Sequence, residues 1–153
     1  MSDFELAQIN IGRLIAPLDD PRIAEFVAGL APMNALAESS EGFIWRLVGE
    51  GDDATEVAYN DDPLIIVNMS VWTSHEALRD YAYRTEHVEF FRKRQQWFHK
   101  HDQAGYCLWW VPAGHRPSVA EGRDRLEHYR KHGATEHSFW FSQLFPAPTA
   151  VLA

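Results

Sequence analysis

A single cysteine, Cys107, stands in the 153-residue chain, so no intrachain disulfide can form and packing alone must hold the fold. No apolar run approaches the roughly 20 residues that span a bilayer, and no positively charged start followed by an apolar stretch marks a secretion signal. A soluble, cytoplasmic protein is expected. Basic residues are scarce: 14 Lys and Arg against 22 Asp and Glu leave a formal charge of −8. Such a field repels phosphate backbones and anionic lipid heads, which turns expectation away from nucleic acid and membranes and toward small molecules or proteins. A glycine-rich phosphate loop and a serine elbow are both missing. Aromatic residues, by contrast, are plentiful, with six Trp, nine Phe and five Tyr. Rings bury much area each, and part of this surface is expected to face a ligand or a second subunit. The length suits one domain, and no repeat, low-complexity linker or boundary divides residues 1–153.

Phe4 to Ile15 alternates apolar and polar residues as a half-buried strand does. Asp20-Pro21 then reads as an N-cap with proline at the first helical position, followed by Ile23, Phe26, Val27 and Leu30 at helical spacing. Pro32 is expected to interrupt that helix. Phe43 to Val48 reads as a second strand, Gly49 to Asp62 as an exposed connection, and Leu64 to Trp72 as a third strand. Thr73 and Glu76 form a capping-box pattern that opens a helix able to run to about Lys100. Gly105 to Val111 supplies a fourth strand. Ser118 and Glu121 repeat the capping box before a helix stopped by Gly133, and Phe139 to Phe145 is a short aromatic strand or extended tail.

The order βαββαβ predicts an α+β, ferredoxin-like sandwich with helices on one face of an antiparallel sheet, and residues 113–145 as a C-terminal extension. The other sheet face must also be covered. Two copies closing face to face into a dimeric α/β barrel would do this, as would the C-terminal extension folding back.

The run Val71-Trp72-x-Ser74-x-Glu76-Ala77-Leu78-x-x-Tyr81-x-x-x-Thr85-x-His87-x-x-x-Phe91 resembles the strand-helix signature of antibiotic-biosynthesis-monooxygenase-like proteins of the dimeric α/β-barrel superfamily. With Trp109-Trp110-Val111-Pro112-Ala113-Gly114-His115-x-Pro117 and Glu121-x-x-x-Arg125-Leu126, nearly the whole chain resembles an uncharacterised bacterial family of unknown function in that superfamily. The resemblance implies a cavity between sheet and helices, used by cofactor-free oxygenases, isomerases, haem-degrading enzymes and haem-dependent dehydratases. Fold alone does not choose among these. The monooxygenase-like relatives often carry histidines matching Tyr81 and His87, and this chain keeps only the second. Haem-degrading relatives have an asparagine matching Asn10, but their haem-binding histidine falls near Phe91.

On a regular helix Tyr81 and His87 lie roughly 120° apart, so both reach one cavity only if the helix breaks near 84–86. Thr85 can cap a second segment there, with Glu86 and Glu89 in its first turn. His87 is then a candidate general base, or an ordinary helical histidine. Tyr81 could stabilise an oxyanion or simply pack, and Asn10 could orient a carbonyl or hydrogen-bond to backbone. Trp45, Trp72 and Trp109 suit a flat pocket wall or a core, Phe91 lies on the His87 face, and Arg94 with Arg92 could anchor an acid group or face solvent. His99, His101 and Asp102 lack a third convergent ligand, His128 and His132 fit a polar helix face, and Cys107 reads as buried, so no metal is expected. The reading is a homodimeric small-molecule enzyme of secondary metabolism, a cofactor-independent monooxygenase or isomerase acting on an aromatic or polyketide-like substrate. A non-catalytic ligand-binding accessory protein and a haem-dependent enzyme are the alternatives.

Overall fold

A computed structural model describes residues 3–148 apart from 50, 52, 86 and 101. Strands β1 (Phe4–Arg13), β2 (Phe43–Arg46), β3 (Ile65–Trp72) and β4 (Tyr106–Pro112) form one antiparallel sheet in the order β2-β3-β1-β4. Helix α1 (Ala24–Ser39) joins β1 to β2, α2 (His75–Arg84) and α3 (His87–Arg92) lie between β3 and β4, and α4 (Val119–His132) follows β4. This is the ferredoxin-like α+β arrangement expected from the element order.

Register decides what each face carries. Leu6, Gln8 and Asn10 sit opposite Trp72, Ser70 and Asn68 on β3, and opposite Trp110, Leu108 and Tyr106 on β4. Side chains alternate along a strand, so these residues share one face. Ala7, Ile9 and Ile11 turn to the other face with Val67, Met69, Val71, Cys107 and Trp109.

That second face is covered within the chain. Leu126, Val119 and Tyr129 of α4 pack on it, and Leu47, Val57 and Tyr59 complete the layer. Gly122 lets α4 approach closely: a Cβ there would meet Ile9 Cδ1 at 2.9 Å and Met69 Cε at 3.1 Å. Of the two ways of covering the sheet weighed from the sequence, the C-terminal extension does the work. The exposed apolar sheet that motivates face-to-face pairing of two copies is therefore already buried.

The helix ends follow local chemistry with four differences from expectation. Asp20 accepts the Arg22 amide at 2.9 Å, but it opens a 3₁₀ turn, Pro21–Ile23, that leads into α1. Pro32 does not interrupt α1. It removes one N–H, yet Ala28 and Pro32 are both exposed, so water can satisfy the carbonyl left over. The cap of α2 is Ser74 rather than Thr73, its hydroxyl accepting the Ala77 amide at 3.2 Å. Ser118 caps α4 as expected, accepting from Glu121 N at 3.1 Å, and Gly133 ends it at φ 73°. The Glu121 carboxylate turns to the sheet instead, accepting the Trp109 indole N–H at 2.9 Å and contacting His115 Nε2 at 2.6 Å.

The helix after β3 stops at Arg84. Thr85 is extended, its hydroxyl donates to the Tyr81 carbonyl, and the same oxygen accepts the His87 amide at 3.2 Å. The interruption expected at 84–86 is present, with Glu86 itself outside the described residues. Beyond α4 the chain crosses the free edge of β4, where Phe139 and Leu108 exchange backbone hydrogen bonds of 2.9 and 2.7 Å. It then lies on the first sheet face, the Trp110 indole donating to Phe145 O at 2.9 Å. Among the described residues no helix is long and apolar enough to cross a membrane.

Candidate active site

Two apolar clusters sit on the first sheet face with a gap between them. At one end Leu6, Trp72 and Leu108 pack with Leu78, Tyr81 and the 139–145 segment. At the other, Leu14 and Ile66 pack with Phe26, Phe90, Trp97 and Phe98. Between them Asn10 and Asn68 face each other across the two central strands and are exposed, and Tyr106 beside Asn10 is 37% exposed. Central strands are normally covered by helices, so exposure there marks an open cleft with a polar floor. Helix α3 links the two clusters, since Phe90 belongs to the second while His87 lies against Tyr81 of the first.

The floor is a carboxamide network. Gln8 Nε2 donates to Asn68 Oδ1 at 2.7 Å and to Ser70 Oγ at 2.8 Å, and Ser70 Oγ also accepts the Trp72 indole N–H at 2.8 Å. Asn10 Nδ2 donates to Gln8 Oε1 at 3.0 Å and to Asn68 Oδ1 at 3.2 Å. Both N–H groups of Asn10 are thus engaged, and the polar atoms turned to the cleft without a partner among the described residues are Asn10 Oδ1 and Asn68 Nδ2. Asn10 was singled out from the sequence. Gln8, Asn68 and Ser70 were not, although polar residues at every second position of strongly apolar strands were the available signal.

His87 stands where the break in the helix brings it, its ring centroid 4.8 Å from that of Tyr81 and 6.4 Å from that of Phe91. Its Nδ1 lies 3.1 Å from the Ala82 carbonyl. A carbonyl only accepts, so Nδ1 carries the proton and Nε2 is the basic nitrogen. Burial holds the imidazole pKa below its ordinary value, which keeps it neutral at pH 7. Tyr81 stacks on Trp72 at 5.3 Å and donates its hydroxyl to Met33 O of α1 at 3.1 Å, and burial pushes its phenol well above the usual range. That hydroxyl is committed to backbone, and the Tyr81 ring lies against His87.

The remaining candidates divide between the two faces. Trp72 is buried in the first-face cluster with Phe43 edge-on at 5.4 Å. Phe91 is exposed on α3 with the Arg94 guanidinium 4.0 Å over its ring. Trp45 and Trp109 turn away from His87: Trp45 pairs with Val71 and Trp109 with Ala7, both on the α4 side. They form core there and no wall beside His87. Cys107 is buried on that side too, its thiol pKa raised by burial. Arg92 is engaged by Glu89 at 2.8 Å. His101 lies outside the described residues. His128 and His132 stack at 4.5 Å on the outer side of α4, beside an open depression of about 860 Å³ that shares no residue with the cleft.

The fold defines an α+β protein of ferredoxin-like topology, with an imidazole and a carboxamide cluster on its helical face. The chain belongs to the DUF3291 family, a domain of unknown function whose family model matches residues 5–152. No match is found among curated proteins. Solved structures of similar fold include SnoaB, a cofactor-independent oxygenase from Streptomyces nogalater, at 17% identity over 75% of this chain and 97% of that one, with a TM-score of 0.48. PA3566 from Pseudomonas aeruginosa aligns at 16% identity over 77% and 98%, TM-score 0.49. NE2512 from Nitrosomonas europaea, of unknown function, aligns at 12% identity over 76% and 97%, TM-score 0.47.

Proposed function

We propose that this protein is a small-molecule enzyme of secondary metabolism, a cofactor-independent monooxygenase or isomerase that deprotonates an aromatic or polyketide-like substrate in the cleft. One observation carries the reading: a neutral imidazole, its tautomer set by the Ala82 carbonyl, on the same side of the sheet as unpartnered carboxamide atoms of Asn10 and Asn68. In this scheme His87 Nε2 takes a proton from an acidic C–H or phenol. Asn68 Nδ2 donates to the oxyanion that develops, and Asn10 Oδ1 orients a substrate hydroxyl. The carbanion is then reprotonated by His87 at another carbon, which is isomerisation, or transfers electrons to dioxygen. Tyr81, clamped between Trp72 and Met33 O, is the positioning residue. The homodimer in this reading uses a surface other than the sheet face that α4 covers.

The test is turnover of a panel of phenols and polycyclic ketones, read by ring absorbance and oxygen uptake. His87→Gln is expected to lower kcat by about 100-fold or more while leaving affinity unchanged. A variant as fast as the parent would remove His87 from the base role, and a parent that binds members of the panel without turning any over would leave the accessory-protein alternative. Haem is the alternative cofactor for His87, and a Soret band after haem addition that His87→Gln abolishes would replace the base assignment with a ligand role.

A further inference from the structure

Five aromatic rings form an unbroken strip along the mouth of the cleft. Phe91 meets Tyr83 edge-on at 6.4 Å, Tyr83 meets Phe141 at 6.1 Å, Phe141 meets Trp140 at 4.9 Å, and Trp140 meets Tyr106 at 4.0 Å. The two ends of the strip are the two halves of the site. Phe91 lies beside His87, and Tyr106 lies beside Asn10 on the floor. Tyr83, Phe91 and Tyr106 are 43%, 39% and 37% exposed, whereas rings of this size are ordinarily covered unless they meet a partner.

The strip carries two cations. The Arg94 guanidinium stands 4.0 Å over Phe91, that of Arg79 stands 5.1 Å over Phe141, and both charges act on the Tyr83 phenol between them. Neighbouring cations are matched by carboxylates, Arg84 by Asp80, Arg92 by Glu89 and Lys93 by Glu25, and Arg123, Arg125 and Arg130 of α4 donate to the Tyr59, His137 and Ala104 carbonyls. Among the described residues Arg79 and Arg94 have no ion pair, and Glu76, one turn before Arg79, turns to His75 at 3.2 Å. What distinguishes these two guanidiniums is that each stands over a ring of the strip, Arg94 also donating to Phe91 O at 3.1 Å, which gives the strip positive charge in a chain of net charge −8. They repel a cationic ligand, and a guanidinium presents parallel N–H donors suited to a carboxylate.

Resting on the enzyme reading above, we infer that the substrate is a planar aromatic acid, its ring laid on the strip and its carboxylate or acidic enolate held by Arg79 and Arg94. The C-terminal extension takes part directly, because Trp140 and Phe141 supply the middle of the strip. Selection for an acid is thus a property of the segment that follows α4 together with α2 and α3.

The probes are naphthoate and its neutral isostere naphthamide, titrated into the full chain by calorimetry at low ionic strength. Naphthoate is expected to bind about tenfold more tightly than the amide, and an Arg79→Gln, Arg94→Gln double variant to bring the acid to the amide's affinity without changing the amide. Arg92→Gln, on the same segment but paired with Glu89, is the charge control and leaves both unchanged. Trp140→Ala weakens both ligands alike. Equal affinity of acid and amide in the parent, or no effect of the double variant, would overturn the acid assignment while His87-dependent turnover still stood. Absence of any binding by either probe would overturn the assignment together with the aromatic cleft.

Discussion

Leu126→Ala measures whether α4 is a structural wall of the sheet. Leu126 is wholly inaccessible and packs in the cluster of Ile9, Met69 and Trp109. Losing three carbons forfeits about 2.4 kcal/mol of transfer free energy at about 0.8 kcal/mol per carbon. The close contacts of Gly122 with Ile9 and Met69 prevent the helix from settling further, so the cavity stays open and the cost rises to about 3–5 kcal/mol. A domain of this kind has about 5–15 kcal/mol in all, so the loss is a large fraction. Urea denaturation followed by tryptophan fluorescence should show a lower midpoint at unchanged slope, and melting should fall by about 6–20 °C. Val27→Ala, at a residue 41% exposed on α1, is the control and should cost less than about 0.5 kcal/mol. A Leu126→Ala loss below about 1 kcal/mol would refute the packing of α4 on this face. Sizing the variant adds a second reading, since loosening the cover should promote association of the variant with itself as the sheet becomes available.

Tyr81→Phe keeps the stack on Trp72 but removes the hydrogen bond to Met33 O, so it should cost about 1 kcal/mol in urea melts, whereas Tyr81→Ala should cost about 3 kcal/mol or more. Glu121→Ala strands the buried Trp109 indole N–H and should cost about 1–3 kcal/mol by the same assay; a neutral result would deny that hydrogen bond a structural role. The imidazole of His87 has a folded pKa below its ordinary 6.5, so the unfolded chain takes up the proton first as pH falls. Stability from this group is therefore complete above pH about 6.5 and is lost between that value and the lower folded one, and kcat/KM should be flat at neutral pH and fall on the acid side. Proton NMR of the His87 ring checks the pKa, and His87→Gln should remove that limb of the stability profile.

Local rules made much of the scaffold legible. Ser118 and Gly133 delimit α4, and the need for Tyr81 and His87 to share a space placed a break where Thr85 provides it. Parity was the harder matter. Trp109 and Trp110 are adjacent and chemically alike, yet one is core under α4 and the other belongs to the helical face, and only the register of β4 against β1 separates them. The choice between wall and core for Trp45 was open for the same reason, an irregularity between Phe43 and Trp45 shifting the local phase. The role of Tyr81 turned on a carbonyl 48 residues away, which no local pattern contains. Asn68 was readable in principle, since Asn68 and Ser70 interrupt Val67, Met69 and Val71 at every second position.

The crossing of β4 by the segment after α4 also governs how this sheet meets its surroundings. Phe139 occupies backbone groups of Leu108 that would otherwise be open to a strand from another molecule. At the opposite border β2 is only four residues long. Borders that are short or capped make poor templates for cross-β growth, so filament formation should require release of that C-terminal strap.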